Sequence, residues 1–189
     1  MATERDYNVF ADEAYQIDKA RAKNEDRAPL LKGDILEGTK LSQSYIVLEV
    51  ADNNKNGMQA MAVAPIKDGI ADTSEVIIAY AGTDFGDNLD VLTDASTVMG
   101  GDMNLSIPQW GSAPKKTDGQ AISAQKFATS IKNSYPNAVI TTTGHSLGEY
   151  LAIYIAAENQ WKNTGFNGRD PYNILSDDAK NGLKKIRAY

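Results

Sequence analysis

Apolar residues near the start of the chain recur at helical spacing. Phe10, Ala14 and Ile17 fall four and three residues apart, which predicts an amphipathic helix over Tyr7 to Lys23. Glu25 to Gly38, with Pro29, loses that period and reads as a loop or short helix. From Tyr45 the period shortens. Tyr45 to Val50 is rich in branched residues, and Met58 to Pro65 alternates loosely with period two. Between them Asp52-Asn53-Asn54-Lys55-Asn56-Gly57 gathers residues that tolerate positive φ, so the pair reads as a β-hairpin. Val76 to Ala81 is an almost unbroken apolar run, the mark of a strand buried on both faces.

Gly82 to Gly119 is loop-rich, interrupted by Gly100-Gly101, Pro108 and Pro114, with a short helix expected over Asn88 to Val98. Ala124, Phe127, Ala128 and Ile131 then mark a helix that stops near Pro136. Val139 to Thr143 is a β-branched strand. Leu151 to Trp161 is apolar nearly all round and predicts a buried helix. Lys184 to Tyr189 reads as the start of one more strand. Strand, helix, strand, helix in this order implies parallel pairing with helices on the sheet faces.

Composition narrows the function. With 42% hydrophobic and 23% charged residues among 189, the chain has the balance of a globular protein. Nineteen Lys and Arg against 25 Asp and Glu leave −6 at pH 7, a field that disfavours binding to nucleic acid. Lys115-Lys116 is a solvated pair rather than a basic patch. No cysteine is present, which excludes disulfides, a thiol nucleophile and thiolate metal sites. A single histidine, His145, excludes multi-histidine metal sites, and no cofactor is implied. The charged stretch from Met1 to Arg27 does not resemble a signal peptide, and no apolar run approaches the ~20 residues of a membrane span. Export by a route without such a leader is the expectation, with cytoplasmic residence, or a leader already removed, as the alternatives.

One motif carries chemistry. Gly144-His145-Ser146-Leu147-Gly148 lies between a strand and a helix, the context in which G-x-S-x-G is meaningful. Lifting a serine hydroxyl above a sheet forces the chain through a sharp turn. The residues two before and two after then crowd together, so glycine is required at 144 and 148. The helix that follows directs its first amides at the site, and the Leu147 N–H is placed to stabilise an oxyanion. The competing reading is a glycine-rich turn whose serine only caps the helix.

Thr143 to Gly148 resembles the elbow of the class-three lipases, a branch of the α/β-hydrolases. Val76 to Thr83 is similar to that family's strand ending in arginine-glycine-threonine, with Ala81 in place of the arginine, and Leu92-Thr93-Asp94 fits a later triplet. The resemblance covers roughly residues 40 to 189. It implies an α/β-hydrolase-like fold: a mostly parallel sheet, helices on both faces and an N-terminal β-hairpin. Residues 41–189 would form the lipase-like domain, and residues 1–40 a helical segment packed on it.

The implied activity is hydrolysis of lipid carboxylic esters, acylglycerols or phospholipids, through an acyl-enzyme. Ser146 would be the nucleophile, Thr83 and Leu147 would form the oxyanion hole, and Gly144 and Gly148 would be the elbow glycines. One oxyanion donor of this kind is worth ~3–4 kcal/mol. Phe85 to Gln120 would wall or cover the acyl cleft, Asp94 would hold that loop, and Trp110 would be a packing anchor, with contact to lipid as the alternative. Trp161 would be a packing anchor.

Two departures stand out. The family's elbow usually continues with a second glycine, where this chain has Glu149, a carboxylate that favours the helix dipole but opposes negative charge developing nearby. The triad is also incomplete: no histidine follows Ser146. His145 adjoins the serine on a turn where successive side chains diverge, so it is not expected to be the base. Asp170, Asp177 and Asp178 follow the serine but fall in loop or helix-start sequence. The resemblance puts the acid just past a strand beginning near Lys184, so the 189 residues read as the front part of a lipase-like domain.

Two alternatives stay open. Gly144 to Tyr150 also resembles the elbow of acyl-carrier-protein transacylases, with Arg169 near the place of their carboxylate-binding arginine, although their N-terminal glycine-glutamine signature is missing. The other is a catalytically silent binding module. Expected partners are a lipid or ester substrate and, by analogy with exported bacterial effectors, an inhibitor protein or a completing polypeptide.

Overall fold

The computed structural model describes residues 1–53, 56–82, 104–107 and 115–187; side chains are described outside 104–107, 115–118 and 183–187. Helix α1 spans Glu4–Glu13 and opens with a reciprocal cap: Thr3 accepts from the Asp6 amide while Asp6 accepts from Thr3. The helix expected to run on to Lys23 is broken. A 3₁₀ turn, Ala14–Ile17, follows α1, and Asp18 leaves the helical region at φ −65, ψ 117 to cap α2, Lys19–Asn24. Asp18 is a better cap than interior residue, because its carboxylate takes the Ala20 and Arg21 amides.

Strands β1 (Ile35–Leu36), β2 (Tyr45–Asn53), β3 (Met58–Lys67), β4 (Ile70–Ala71) and β5 (Glu75–Tyr80) follow. A second, two-stranded sheet pairs β6 (Asn104–Ile107) with β7 (Lys115–Asp118) antiparallel. Then come α3 (Gln120–Ser134), β8 (Val139–Gly144), α4 (Leu147–Asn159), β9 (Lys162–Asn163), a 3₁₀ turn at Tyr172–Ile174 and α5 (Asp177–Arg187). Among the described residues, no helix is long and apolar enough to cross a membrane.

The main sheet runs β1-β2-β3-β5-β8-β9, with β4 beside β3. It is mixed, and the expectation of a mostly parallel sheet is corrected. Among the strand pairs of the described residues, β5–β8 and β8–β9 are parallel, while β1–β2, β2–β3, β3–β4 and β3–β5 are antiparallel. The reason is connection length. The turn at Asn56-Gly57 (φ +70 at Gly57) returns the chain at once, as does the Asp68-Gly69 turn. Parallel pairing of β8 with β9 uses a crossover through α4.

Strand β5 alternates between two cores, as its apolar run predicts. Val76, Ile78 and Tyr80 join Ala60, Ala62 and Ala64 beneath α3 and α4, where Phe127, Ile131, Leu151 and Ile155 are buried. Ile77 and Ala79 point the other way, onto Met61, Val63 and the Phe10, Ala14 and Ile17 stripe. Phe10 meets Tyr45 edge to face at 4.7 Å between ring centres. The N-terminal helices therefore cover one face of the sheet, and α3 and α4 the other.

The second correction concerns the end of the chain. Lys184 to Arg187, expected as the start of a strand, belongs to α5; residues 188–189 lie outside the described set. Ala179, Leu183 and Ile186 are spaced by four and three, and the Ser176 hydroxyl accepts from the Ala179 amide at the helix start. The helical period outweighs the short branched run. The expected helix at Asn88 to Val98, Asp94, Trp110 and most of Phe85 to Gln120 also lie outside the described residues.

Candidate active site

Strand β8 delivers the chain to the C-terminal end of the sheet, where its neighbour β5 ends at Tyr80, paired with Gly144. Beyond that pair the backbone turns sharply. Ser146 stands at φ 57, ψ −119, outside the regions an L-residue occupies without cost, and α4 starts at the next residue. Such a conformation costs on the order of 1–3 kcal/mol and persists only where its surroundings hold it.

Three glycines make the room. A Cβ on Gly144 would fall 2.6 Å from the Glu149 amide nitrogen, and one on Gly148 would fall 2.8 Å from both the Ala81 carbonyl carbon and the Gly82 nitrogen. Gly82, last described residue after β5, would carry a Cβ 2.9 Å from the His145 carbonyl. Alanine fits none of these places, so the spacing of small residues in the motif is a packing requirement of the turn.

The backbone ties are specific. The Ser146 amide donates to the Phe166 carbonyl at 3.0 Å, and the Phe166 amide to the Gly144 carbonyl at 3.0 Å. The Gly148 amide donates to the His145 carbonyl at 3.0 Å. The Ser146 side chain makes no cap hydrogen bond to α4, which removes the helix-capping reading of the motif. Ser146 is half-buried. The Leu147 amide, first of the helix, has no acceptor among the described residues, while its side chain is buried in the core. Thr83, the other expected oxyanion donor, lies outside the described residues.

His145 is exposed, and its Nδ1 lies 3.4 Å from the Tyr15 hydroxyl, a long contact. The same hydroxyl donates to the His145 carbonyl at 3.4 Å, and it also crowds Gly82. Tyr15 sits in the 3₁₀ turn after α1, with the Arg21 guanidinium 4.3 Å from its ring centre. Nothing in the sequence signals this residue: it lies beside the apolar stripe, and its partner is 130 positions away. Tyr150 is no substitute base, since burial pushes its phenol up to about 12 and keeps it protonated near neutrality.

The remaining candidates lie apart. Asp170 is exposed and accepts from the Tyr172 amide at 3.0 Å; Asp177 and Asp178 are exposed in the first turn of α5; Arg169 is exposed. Trp161 packs half-buried against the core, with the Lys132 ammonium 6.0 Å from its ring centre. Glu149, which departs from the resembled pattern, turns its carboxylate to the Gly168 amide.

Neither a family model nor a curated protein matches the chain. Among solved structures it is similar to a fungal lipase in complex with an inhibitor, at 16% identity and TM-score 0.37 over 82% of this chain and 56% of that one. It is also similar to the Rhizomucor miehei lipase propeptide complex, at 12% identity and TM-score 0.38 over 82% and 48%. A mutant form of MDLA from Penicillium cyclopium aligns at 12% identity and TM-score 0.37 over 78% and 51%. The chain spans about half the length of each.

Proposed function

We propose that this chain belongs to a serine hydrolase domain acting on lipid carboxylic esters, with Ser146 as nucleophile. The observation that supports it is the Ser146 turn itself: a strained residue between strand and helix, its hydroxyl unused as a cap, followed at once by an amide without an acceptor among the described residues. In the proposed reaction the Ser146 oxygen attacks the ester carbonyl carbon as a base takes its proton. Charge develops on the carbonyl oxygen and is met by the Leu147 amide and, in this reading, the Thr83 amide. The alcohol then leaves with a proton, and water releases the acid from the acyl-serine.

His145 is not the base in this scheme, because it adjoins Ser146 on a turn where successive side chains diverge.

His145 being the single histidine of these 189 residues favours a second reading, in which they are by themselves a catalytically silent binding module. A fluorophosphonate probe separates the two. Labelling of wild type that disappears in Ser146→Ala supports an activated serine in this chain. A silent serine here that becomes labelled in a longer form supports a module awaiting its base. No labelling in either form would refute the hydrolase reading.

A further inference from the structure

The turn at Ser146 needs a restraint, and two of the backbone bonds that hold it come from one residue. Phe166 accepts from the Ser146 amide and donates to the Gly144 carbonyl, each at 3.0 Å. Phe166 is not in a helix, and β9 before it has only two residues. On its N-terminal side it is steadied by the ladder, through Thr164 donating to the Thr142 carbonyl at 3.0 Å. Two residues further on, the Gly168 amide donates to the Glu149 carboxylate.

Glu149 lies three residues after Ser146, on the first turn of the same helix end. Its side chain is seated on two glycines. A Cβ at Gly165 would fall 2.6 Å from the Glu149 Cγ, and a Cβ at Gly168 would also fall 2.6 Å from it. Any larger residue at either place displaces the carboxylate. Ser146, Glu149, Gly168 and Phe166 thus form a closed ring of contacts, with α4 on one side and the stretch after β9 on the other.

We propose that Glu149 is a positioning residue for the Ser146 turn: its carboxylate, nested on Gly165 and Gly168, fixes the segment whose Phe166 carbonyl restrains the Ser146 amide. The catalytic meaning of this rests on the reading of Ser146 as nucleophile. It also accounts for a carboxylate where the resembled elbows carry glycine. The charge lies in the first turn of a helix, where the dipole favours it, and it is solvated by a backbone amide.

The test is amide hydrogen exchange, followed by NMR on the 189-residue chain. In Glu149→Ala the Ser146 and Gly168 amides should exchange roughly tenfold or more faster, the loss of one hydrogen bond to a charged group. Glu149→Gln retains an acceptor and should return both to within about threefold of wild type. Buried β5 amides should not change, which reports an intact fold. Faster exchange at Gly168 with Ser146 unchanged overturns the proposal.

Should Glu149→Ala fail to fold, Glu149→Asp and Glu149→Gln decide. The shorter aspartate should accelerate both amides and the glutamine should not; equal exchange in both variants and wild type overturns the proposal. Fluorophosphonate labelling of the same proteins keeps the two claims apart. A wild type unlabelled both here and in the longer form, with accelerated Ser146 exchange in Glu149→Ala, supports the positioning and removes the nucleophile reading. A labelled wild type with unchanged exchange does the reverse.

Discussion

The hydroxyl of Tyr15 lies 3.4 Å from Nδ1 and 3.4 Å from the carbonyl oxygen of His145, so a 3₁₀ turn near the N-terminus touches the turn beside Ser146. Tyr15→Phe deletes these contacts while keeping the ring under Arg21. Hydrogen bonds of this long, exposed kind contribute about 0.5–1.5 kcal/mol each at most, so urea unfolding should show a loss no larger than that. The imidazole signals should move more visibly. His145 is the only histidine, so its side-chain resonances are unambiguous by NMR, and unchanged shifts in Tyr15→Phe would remove the contact.

Glycines in the turn and glycines elsewhere should respond oppositely to alanine. At Gly148 a Cβ meets the Ala81 and Gly82 backbone at 2.8 Å, where nothing can rotate aside, so Gly148→Ala should lose about 3 kcal/mol or more. Gly182, inside α5, has nothing within 4 Å of its would-be Cβ. Gly182→Ala should gain about 0.5–1 kcal/mol from helix propensity. Equal midpoints for the two variants in denaturant would contradict the crowding at Gly148.

Much of this was legible because its causes are local. The Gly144 to Gly148 turn is specified within five residues, and β5 announces itself by a run of apolar side chains that fill two cores. What was missed depends on partners. Strands β1, β4 and β9 have two residues each and exist through the strand beside them; Lys162 and Asn163 have no strand pattern of their own. Tyr15 meets His145 and Glu149 meets Gly168 across distances in sequence that no period records. Asp18 shows a local conflict, where capping won over continuation of a helical stripe. At the end of the chain a short run with both β-branched and helical character followed its spacing into α5.

Ser146 should prove a costly residue for stability. At φ 57, ψ −119 a side chain is strained whatever its chemistry, and only glycine enters that region easily. Ser146→Gly should therefore raise stability by about 1 kcal/mol, after the extra unfolded-state entropy of glycine is subtracted. Ser146→Ala keeps the Cβ and loses no helix cap, so it should lie within about 0.5 kcal/mol of wild type. Thermal unfolding of the three proteins checks both. A loss of about 1 kcal/mol in Ser146→Ala would restore a capping role for the hydroxyl.

Acid should act on the anchorage of the N-terminal helix through Asp6. This carboxylate is fully buried and accepts from the Ser42 amide at 2.7 Å, the Ser42 hydroxyl at 2.6 Å, the Thr3 amide at 2.7 Å and the Tyr45 hydroxyl at 3.2 Å. Burial alone pushes its pKa up, but the hydrogen bonds from Ser42 and Thr3 outweigh it and leave the group below its ordinary value of 3.8. The unfolded chain then binds the proton more tightly than the folded one. Stability from Asp6 is complete above the unfolded value and is lost as pH falls below about 4 toward the folded value. Asp6→Asn cannot titrate, so its melting temperature should lie below wild type at neutral pH, with the gap narrowing as pH drops through that window. A gap that stays constant from pH 7 to pH 3 would show that the ionised form of Asp6 is not what ties α1 to Ser42.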